Sequence, residues 1–362
     1  MRKHFIDNLR WLCILLLFPF HVFRIYNSFM EGFYVEGQDI VATTGFIVAV
    51  APWFMPLLFV IAGVSSAYAL NKRTYREYAI ERVRKLLIPF LAGLLLVVPA
   101  QTFFAERFHN GFTGGYFYQY ILFFTAPTDL TGYRGGFTPA HLWFILFLFV
   151  ISLVALPLAA VLKKAKRKPS FERTPLWLLP LLGLLPWLMM PILNFDGMSV
   201  GMYFAYFMLG YLVLSHESLV QQLARHRFVL LTTAAFGMVL CVGAWLLQLH
   251  GMMQMPQTAM QLCFMLYGWL AVLALFGLGN RYLNFNNKVT DYLSVSAFPI
   301  YLFHQSWIVA VAYFTLMWID SVVLQIGVIL TLSVLLTYAS YELFKRIPGV
   351  RFLFGIKART SP

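Results

Sequence analysis

Ten stretches of this chain are apolar and long enough to cross a bilayer, and nothing else in it constrains the fold as strongly. By hydropathy they cover about residues 6–29, 40–70, 83–104, 139–162, 175–193, 198–215, 228–249, 259–279, 291–316 and 321–344. Crossing the hydrocarbon core takes roughly 20 apolar residues in a helix. No water is available there to satisfy the backbone, so such stretches become helices. A hydrophobic share of 60% lies outside the range of soluble domains. The sequence therefore predicts an all-α integral membrane protein, a bundle of about ten transmembrane helices. Pro52 and Pro56 predict a kink or a break in the second stretch, and Pro180, Pro186 and Pro191 a kink in the fifth. An aromatic share of 18% suits belts at both interfaces.

The basic residues orient the bundle. With the N-terminus in the cytoplasm, the inner segments hold Arg2, Lys3 and Arg10, then Lys72, Arg73, Arg76, Arg82, Arg84 and Lys85, then Lys163, Lys164, Lys166, Arg167, Lys168 and Arg173. Arg225, Arg227, Arg281 and Lys288 follow, and Lys345, Arg346, Arg351, Lys357 and Arg359 close the chain. That places 24 of 27 basic residues inside and only Arg24, Arg107 and Arg134 at or beyond the outer face. Such asymmetry predicts a multi-pass protein of the cell (inner or plasma) membrane with both termini cytoplasmic. It also accounts for the net charge of +13 through topology and contact with anionic lipids, with no nucleic acid as partner. Residues 1–345 are expected to form one transmembrane domain and 346–362 a basic cytoplasmic tail.

Most loops are short. The exception is the outer loop 105–138, which carries Glu106, Arg107, His109, Asp129, Arg134 and several glycines. Its middle, YFYQYILFF (116–124), is aromatic and too short to span, so it is expected to lie in or re-enter the interface. The loop reads equally as an acceptor-binding surface and as an interfacial cover. Cys13, Cys241 and Cys263 lie in apolar stretches without metal spacing and read as small core residues. The first stretch does not read as a signal peptide, because it holds Asp7, Arg10, His21 and Arg24 and lacks a small-residue cleavage site. Glu31, Glu36 and Asp39 read as solvated, and Asp291 and Asp320 as end or interface residues.

Ionisable side chains inside a span are costly and face a bundle interior or a cavity. Arg10 and His21 are eleven residues apart in the first stretch. That spacing puts them on one helical face, roughly 16 Å apart along the axis. His21 reads as a general base or nucleophile toward a hydroxyl, the alternative being a core histidine bonded to a backbone carbonyl. Arg10 reads either as a surface pair with Asp7 or as a cation that helps hold a phosphorylated donor. Arg82 and Lys85, at i and i+3, share a face and with Arg84 suit phosphate binding, though positive-inside bias alone also explains them. His304, with Tyr301 one turn earlier and Gln305 beside it, suits a polar cavity inside the bundle. His141 lines its outer mouth or is an interfacial histidine next to Trp143. No H-E-x-x-H, clustered Cys/His, Walker loop or G-x-S-x-G pattern occurs, so no metal is expected.

Five ordered segments together carry a resemblance. They are DNLRWLCILLLFPFH (7–21), WFMPLLFVIAG (53–63), ERVRKLLIPF (81–90), HLWFI (141–145) and SAFPIYLFHQ (296–305). The set resembles the acyltransferase-3 family of transmembrane O-acyltransferases, especially its stand-alone, glucan-modifying bacterial members. The first segment carries the family's Arg-x10-His as Arg10 and His21. Ala62 stands where the family usually has serine, and Arg82-x-x-Lys85 where two arginines are frequent. The resemblance implies a ten-span bundle that transfers an acyl group, most often acetyl, from cytoplasmic acyl-CoA to a hydroxyl. The acceptor it implies is a glycan or lipid-linked sugar on the outer side. By the same resemblance His21 is the catalytic histidine, and Arg10, Arg82 and Lys85 position the acyl-CoA. A transporter or exporter of a sugar or lipid-linked precursor is the alternative that kinked spans and intramembrane polar residues would also suit.

Overall fold

A computed structural model describes residues 3–29, 32–133, 135–164, 175–195 and 197–356. Arg2, Glu31, Arg134, Lys166, Arg167, Lys168, Arg173, Lys357 and Arg359 lie outside the described residues. The helices are α1 (His4–Ile25), α2 (Val41–Leu70), α3 (Tyr75–Arg82), α4 (Ile88–Leu96), α5 (Val98–Asn110), α6 (Tyr116–Thr125), α7 (Trp143–Lys164) and α8 (Leu184–Met189). They continue with α9 (Val200–Leu209), α10 (Glu217–Arg225), α11 (Arg227–Leu249), α12 (Gln257–Tyr282), α13 (Lys288–Trp318), α14 (Val322–Phe344) and α15 (Pro348–Leu353). A two-residue hairpin, β1 (Asn194–Phe195) with β2 (Met198–Ser199), turns at Gly197.

Among the described residues, eight helical segments are long and apolar enough to cross a membrane: His4–Ile25, Val41–Leu70, Tyr75–Asn110, Ala140–Lys164, Arg227–Leu249, Gln257–Tyr282, Lys288–Trp318 and Val322–Phe344. The stretches expected as spans at 175–193 and 198–215 are shorter apolar helices, Leu176–Met189 and Val200–Leu214. Proline explains the first. Pro180 and Pro186 withhold backbone donors, and the chain runs through two 3-10 turns before α8. The second changes from α9 into a π turn at Gly210–Leu214.

The chain divides into two compact units. The first gathers Met1–Cys13, Val48–Arg82 and Phe147–Thr290, and the second Ile14–Ile47, Val83–Leu146 and Asp291–Pro362.

In the first unit, α2 is not broken at its prolines, contrary to one expectation, and runs for 30 residues. Pro56 has no N–H to give the carbonyl of Pro52. That carbonyl instead meets the backbone of α12 at Gly268, where an added Cβ would lie 2.1 Å from the oxygen. The Ala49 carbonyl accepts from Trp53 Nε1 (3.0 Å) and Tyr267 Oη (2.5 Å). Further along α2, Gly63 lies against the carbonyl of Phe207, and Gly210 against that of Val60. Small residues let membrane helices approach until backbones touch. Trp269, Phe59, Phe276 and Phe207 fill the core, and Trp269 Nε1 donates to the Leu179 carbonyl at 2.8 Å. Of the cysteines, Cys13 and Cys241 are buried, but Cys263 is exposed, because its position falls on the outward side of α12.

In the second unit, Pro89 cannot donate to the carbonyl of Lys85. The helix widens there into a π turn, Val83–Leu87, before α4 resumes. The stretch expected as a tail from residue 346 begins with α15, and Phe354 packs on Phe303 and Phe344 with ring centroids 4.9 and 5.8 Å away. In the outer loop, α6 buries Gln119 and Phe123 and exposes Phe117, Ile121 and Phe124. A 10-residue helix with one apolar face outward suits an interfacial position.

Candidate active site

In the first unit the cationic residues are tied to two adjacent serines of α2. Arg10 Nη1 pairs with Asp7 at 2.9 Å, and its Nη2 donates to Ser65 Oγ at 3.0 Å. The next residue, Ser66, shares a 2.7 Å hydrogen bond with the Tyr78 hydroxyl. The Arg82 guanidinium lies over the Tyr78 ring at 4.7 Å, with its Nε buried and unpartnered. A guanidinium stacked on an aromatic face stays pre-oriented for an anion. Arg10 thus pairs with Asp7, as the first of its two readings has it, and also donates to Ser65. Arg84 and Lys85 belong to the second unit, where they are exposed and lie in the π turn.

In the second unit, three histidines converge, from α1, from the 3-10 turn just before α7 and from α13. The ring centroid of His304 lies 5.2 Å from that of His21 and 5.0 Å from that of His141. His304 is fully buried, and His21 is partly exposed. His304 Nδ1 sits 2.7 Å from the carbonyl of Tyr301. A carbonyl only accepts, so Nδ1 carries the proton and Nε2 the lone pair. His304 Nε2 is buried without a partner, as is His21 Nδ1.

His141 is held on every side. Its Nε2 donates to the Leu302 carbonyl at 3.1 Å, so its Nδ1 accepts, and Gln101 Nε2 approaches it at 3.4 Å. Gln101 also donates to Ser306 Oγ at 2.8 Å, and Ser306 donates to the Val97 carbonyl at 3.0 Å. The Tyr301 hydroxyl donates to the His141 carbonyl. His141 is thus a buried, hydrogen-bonded histidine. Gln305 is buried with Oε1 unpartnered. Ala140, just before His141, has a φ of +47°, a left-handed conformation that is strained for a residue with a Cβ.

Toward the outer loop, Phe33 stacks on His21 with centroids 6.4 Å apart and meets Tyr34 and Tyr133. His109 Nε2 donates to the Phe33 carbonyl at 2.7 Å. Burial, with Tyr133 adding to it, pushes the Tyr34 phenol well above its ordinary pKa, so it stays a donor, here to the Thr131 carbonyl at 3.3 Å. The structure thus brings His21, His141, Tyr301 and His304 together in one unit and gathers Arg10 and Arg82 in the other. Gln101 and Ser306 belong to the histidine network but were not singled out from the sequence. The only signal was an amide and a hydroxyl inside apolar runs. Among the described residues no group of three or more His, Cys, Asp or Glu side chains is arranged to hold a metal ion.

A buried imidazole with a free lone pair beside a partly exposed one is a site for proton transfer from a hydroxyl. Residues 3–342 match the acyltransferase-3 family, described as an acyltransferase domain. The chain belongs to this family. It is an acyltransferase and a multi-pass membrane protein, and the transporter alternative lapses. Curated relatives include the glucans biosynthesis protein C of Salmonella paratyphi A and of Salmonella agona. Each is 26% identical over 394 aligned positions, covering 98% of this acyltransferase and 95% of the relative. No solved structure matches it significantly.

Proposed function

We propose that this acyltransferase moves an acyl group, most simply acetyl, from cytoplasmic acyl-CoA to a hydroxyl of an extracytoplasmic glycan or lipid-linked sugar. The observation that carries the reading is the pair of unpartnered buried nitrogens on His21 and His304, in a chain whose family is one of acyltransferases. The relatives' name favours a glucan as acceptor. The protein resides in the cell inner membrane with both termini cytoplasmic, a reading supported by the 24-to-3 split of basic residues. Residues 1–345 make up the catalytic domain and 346–362 the basic end of the chain.

Arg10, Arg82, Arg84 and Lys85 hold the anionic CoA, and His21 works on the acyl carbon. In one order, His21 takes the acceptor's hydroxyl proton as the oxygen bonds to the thioester carbon; the carbon–sulfur bond breaks and CoA leaves with that proton. In the other, a lone pair of His21 bonds to the acyl carbon as the carbon–sulfur bond breaks and CoA leaves as the thiolate; the acceptor oxygen then displaces the imidazole from the acyl carbon, and the hydroxyl proton ends on the CoA thiolate.

The test is acetyl-CoA binding to the protein in lipid nanodiscs, followed by acetyl transfer to a glucan. Arg10→Ala should weaken acetyl-CoA binding by about 10-fold or more, as expected for a lost charge-assisted contact. His21→Ala should keep binding and lose transfer by at least about 100-fold. Undiminished transfer in His21→Ala would remove the histidine from the chemistry, and failure to bind any acyl-CoA would remove the donor.

A further inference from the structure

His304 is buried more completely than His21 and is given no chemical step in the reading above, yet its unpartnered Nε2 belongs to a ring 5.2 Å from that of His21. We propose that His304 is a positioning residue: its Nε2 accepts a proton-bearing Nδ1 of His21, directly or through one water, and so fixes the tautomer that leaves His21 Nε2 as the working lone pair. The inference rests on the assignment of the chemistry to His21 and deepens it.

The argument starts from the Tyr301 carbonyl. It lies 2.7 Å from His304 Nδ1 and one turn earlier on the same helix, so it holds that proton in place wherever α13 is intact. Neutral His304 therefore presents an acceptor at Nε2 and nothing else. That nitrogen is buried and unpartnered. The rings around it offer little. Phe18 lies edge-on at 5.7 Å and has no donor. His141, at 5.0 Å, has one nitrogen donating to Leu302 and the other facing Gln101. Tyr301, at 5.8 Å, has its hydroxyl donating to the His141 carbonyl. That leaves His21, whose Nδ1 is likewise buried and unpartnered. An imidazole nitrogen lies about 1 Å from its ring centre, so a centroid separation of 5.2 Å brings facing nitrogens to about 3 Å, within hydrogen-bond range. In the structure the rings are tilted by 43° and the two nitrogens make no hydrogen bond, so the pairing needs the rings to turn toward each other or one water to bridge them.

Two buried polar atoms left without partners are costly, and pairing them removes both costs. Because His304 can only accept, the pair has one polarity, with the proton on His21 Nδ1. This is the part a carboxylate plays beside the base of a hydrolytic triad, here filled by a neutral ring that adds no charge to the membrane interior. When His21 becomes protonated during transfer, His304 Nε2 is the acceptor that steadies its Nδ1–H. His304 itself touches neither donor nor acceptor substrate.

The test reads tautomers directly. Full-length protein labelled with 15N-histidine is placed in lipid bilayers, and the His21 signals are assigned by their loss in His21→Ala. The expected result is a His21 protonated at Nδ1 and unprotonated at Nε2 in the wild type. His304→Phe should shift His21 toward the other tautomer and lower kcat by about 10- to 100-fold, with the acetyl-CoA KM within about 2-fold of wild type. His304→Gln, which returns an acceptor oxygen near the Nε2 position, should recover the tautomer and most of kcat. A wild-type His21 protonated at Nε2 overturns the proposal without any variant, even if His304→Phe does not fold. So does a His304→Phe protein with wild-type tautomer and turnover. If His21→Ala alone keeps turnover, the assignment of chemistry to His21 fails, whatever the tautomer shows.

Discussion

The histidine site turns on which polar atoms have partners. Gln101 spends both amide hydrogens, one on Ser306 and one on His141, and leaves its own Oε1 buried and unpartnered. Gln101→Leu therefore removes two hydrogen bonds but also one uncompensated oxygen. Interhelical polar contacts in membranes average well under the value expected in an apolar solvent. The expected net loss is about 1 kcal/mol, read as a fall of a few degrees in melting temperature in detergent. Transfer should fall less than in the His304 variants, because the Leu302 carbonyl still holds His141. A loss of turnover as large as that of His21→Ala would show that the amide does more than hold His141. His21 and His304 were legible as intramembrane histidines from the sequence alone. Their pairing was not, since hydropathy and helical period carry no information about residues 283 positions apart.

Among the elements, α2 shows how a helix keeps its form where its sequence predicts failure. Two prolines free carbonyls in its middle, and close approach of α12 at Gly268 covers one of them. The crossing at Gly63 and Gly210 is reciprocal: a Cβ at 63 would lie 1.9 Å from the Phe207 oxygen, and one at 210 would lie 2.1 Å from the Val60 oxygen. Both obstacles are backbone, which cannot rotate away. Gly63→Leu should destabilise by about 3 kcal/mol or more and yield aggregated protein on size exclusion, whereas Gly243→Ala, with open space around it, should be neutral. At the start of α3, Thr74 and Glu77 close a capping box in which Thr74 N donates to Glu77 Oε2 at 2.8 Å and Glu77 N to Thr74 Oγ1 at 3.2 Å. The T-x-x-E pattern is visible in the sequence. The π turn that follows is not, because Pro89 could as well have ended the helix.

For the whole molecule, the basic residues make the orientation testable. Cysteine-accessibility labelling in intact cells should find position 112 reactive from outside and position 168 only after the membrane is permeabilised. The reverse pattern would overturn the orientation and with it the side from which acyl-CoA is drawn. Position 168 itself lies outside the described residues. An even number of crossings is required if both termini share a side. Eight long helices satisfy that count, and so do eight with both shorter apolar helices added. The positions expected to face inward keep their side in both cases only if the two short helices together return the chain to the side it left.

The sequence by itself determined the class of protein, the apolar stretches, the charge asymmetry and the presence of Arg10 and His21 on one membrane helix. These follow from local properties: transfer of apolar side chains, the backbone's need for internal hydrogen bonds, and helical period. Tertiary structure alone decided that His304 would meet His21 and His141, and that the Leu302 carbonyl would set the His141 tautomer. It also decided that Arg10 would reach Ser65, and that two of the expected spans would be short. Those outcomes depend on which helices approach closely, and close approach is governed by small residues and freed carbonyls at positions far apart in the chain.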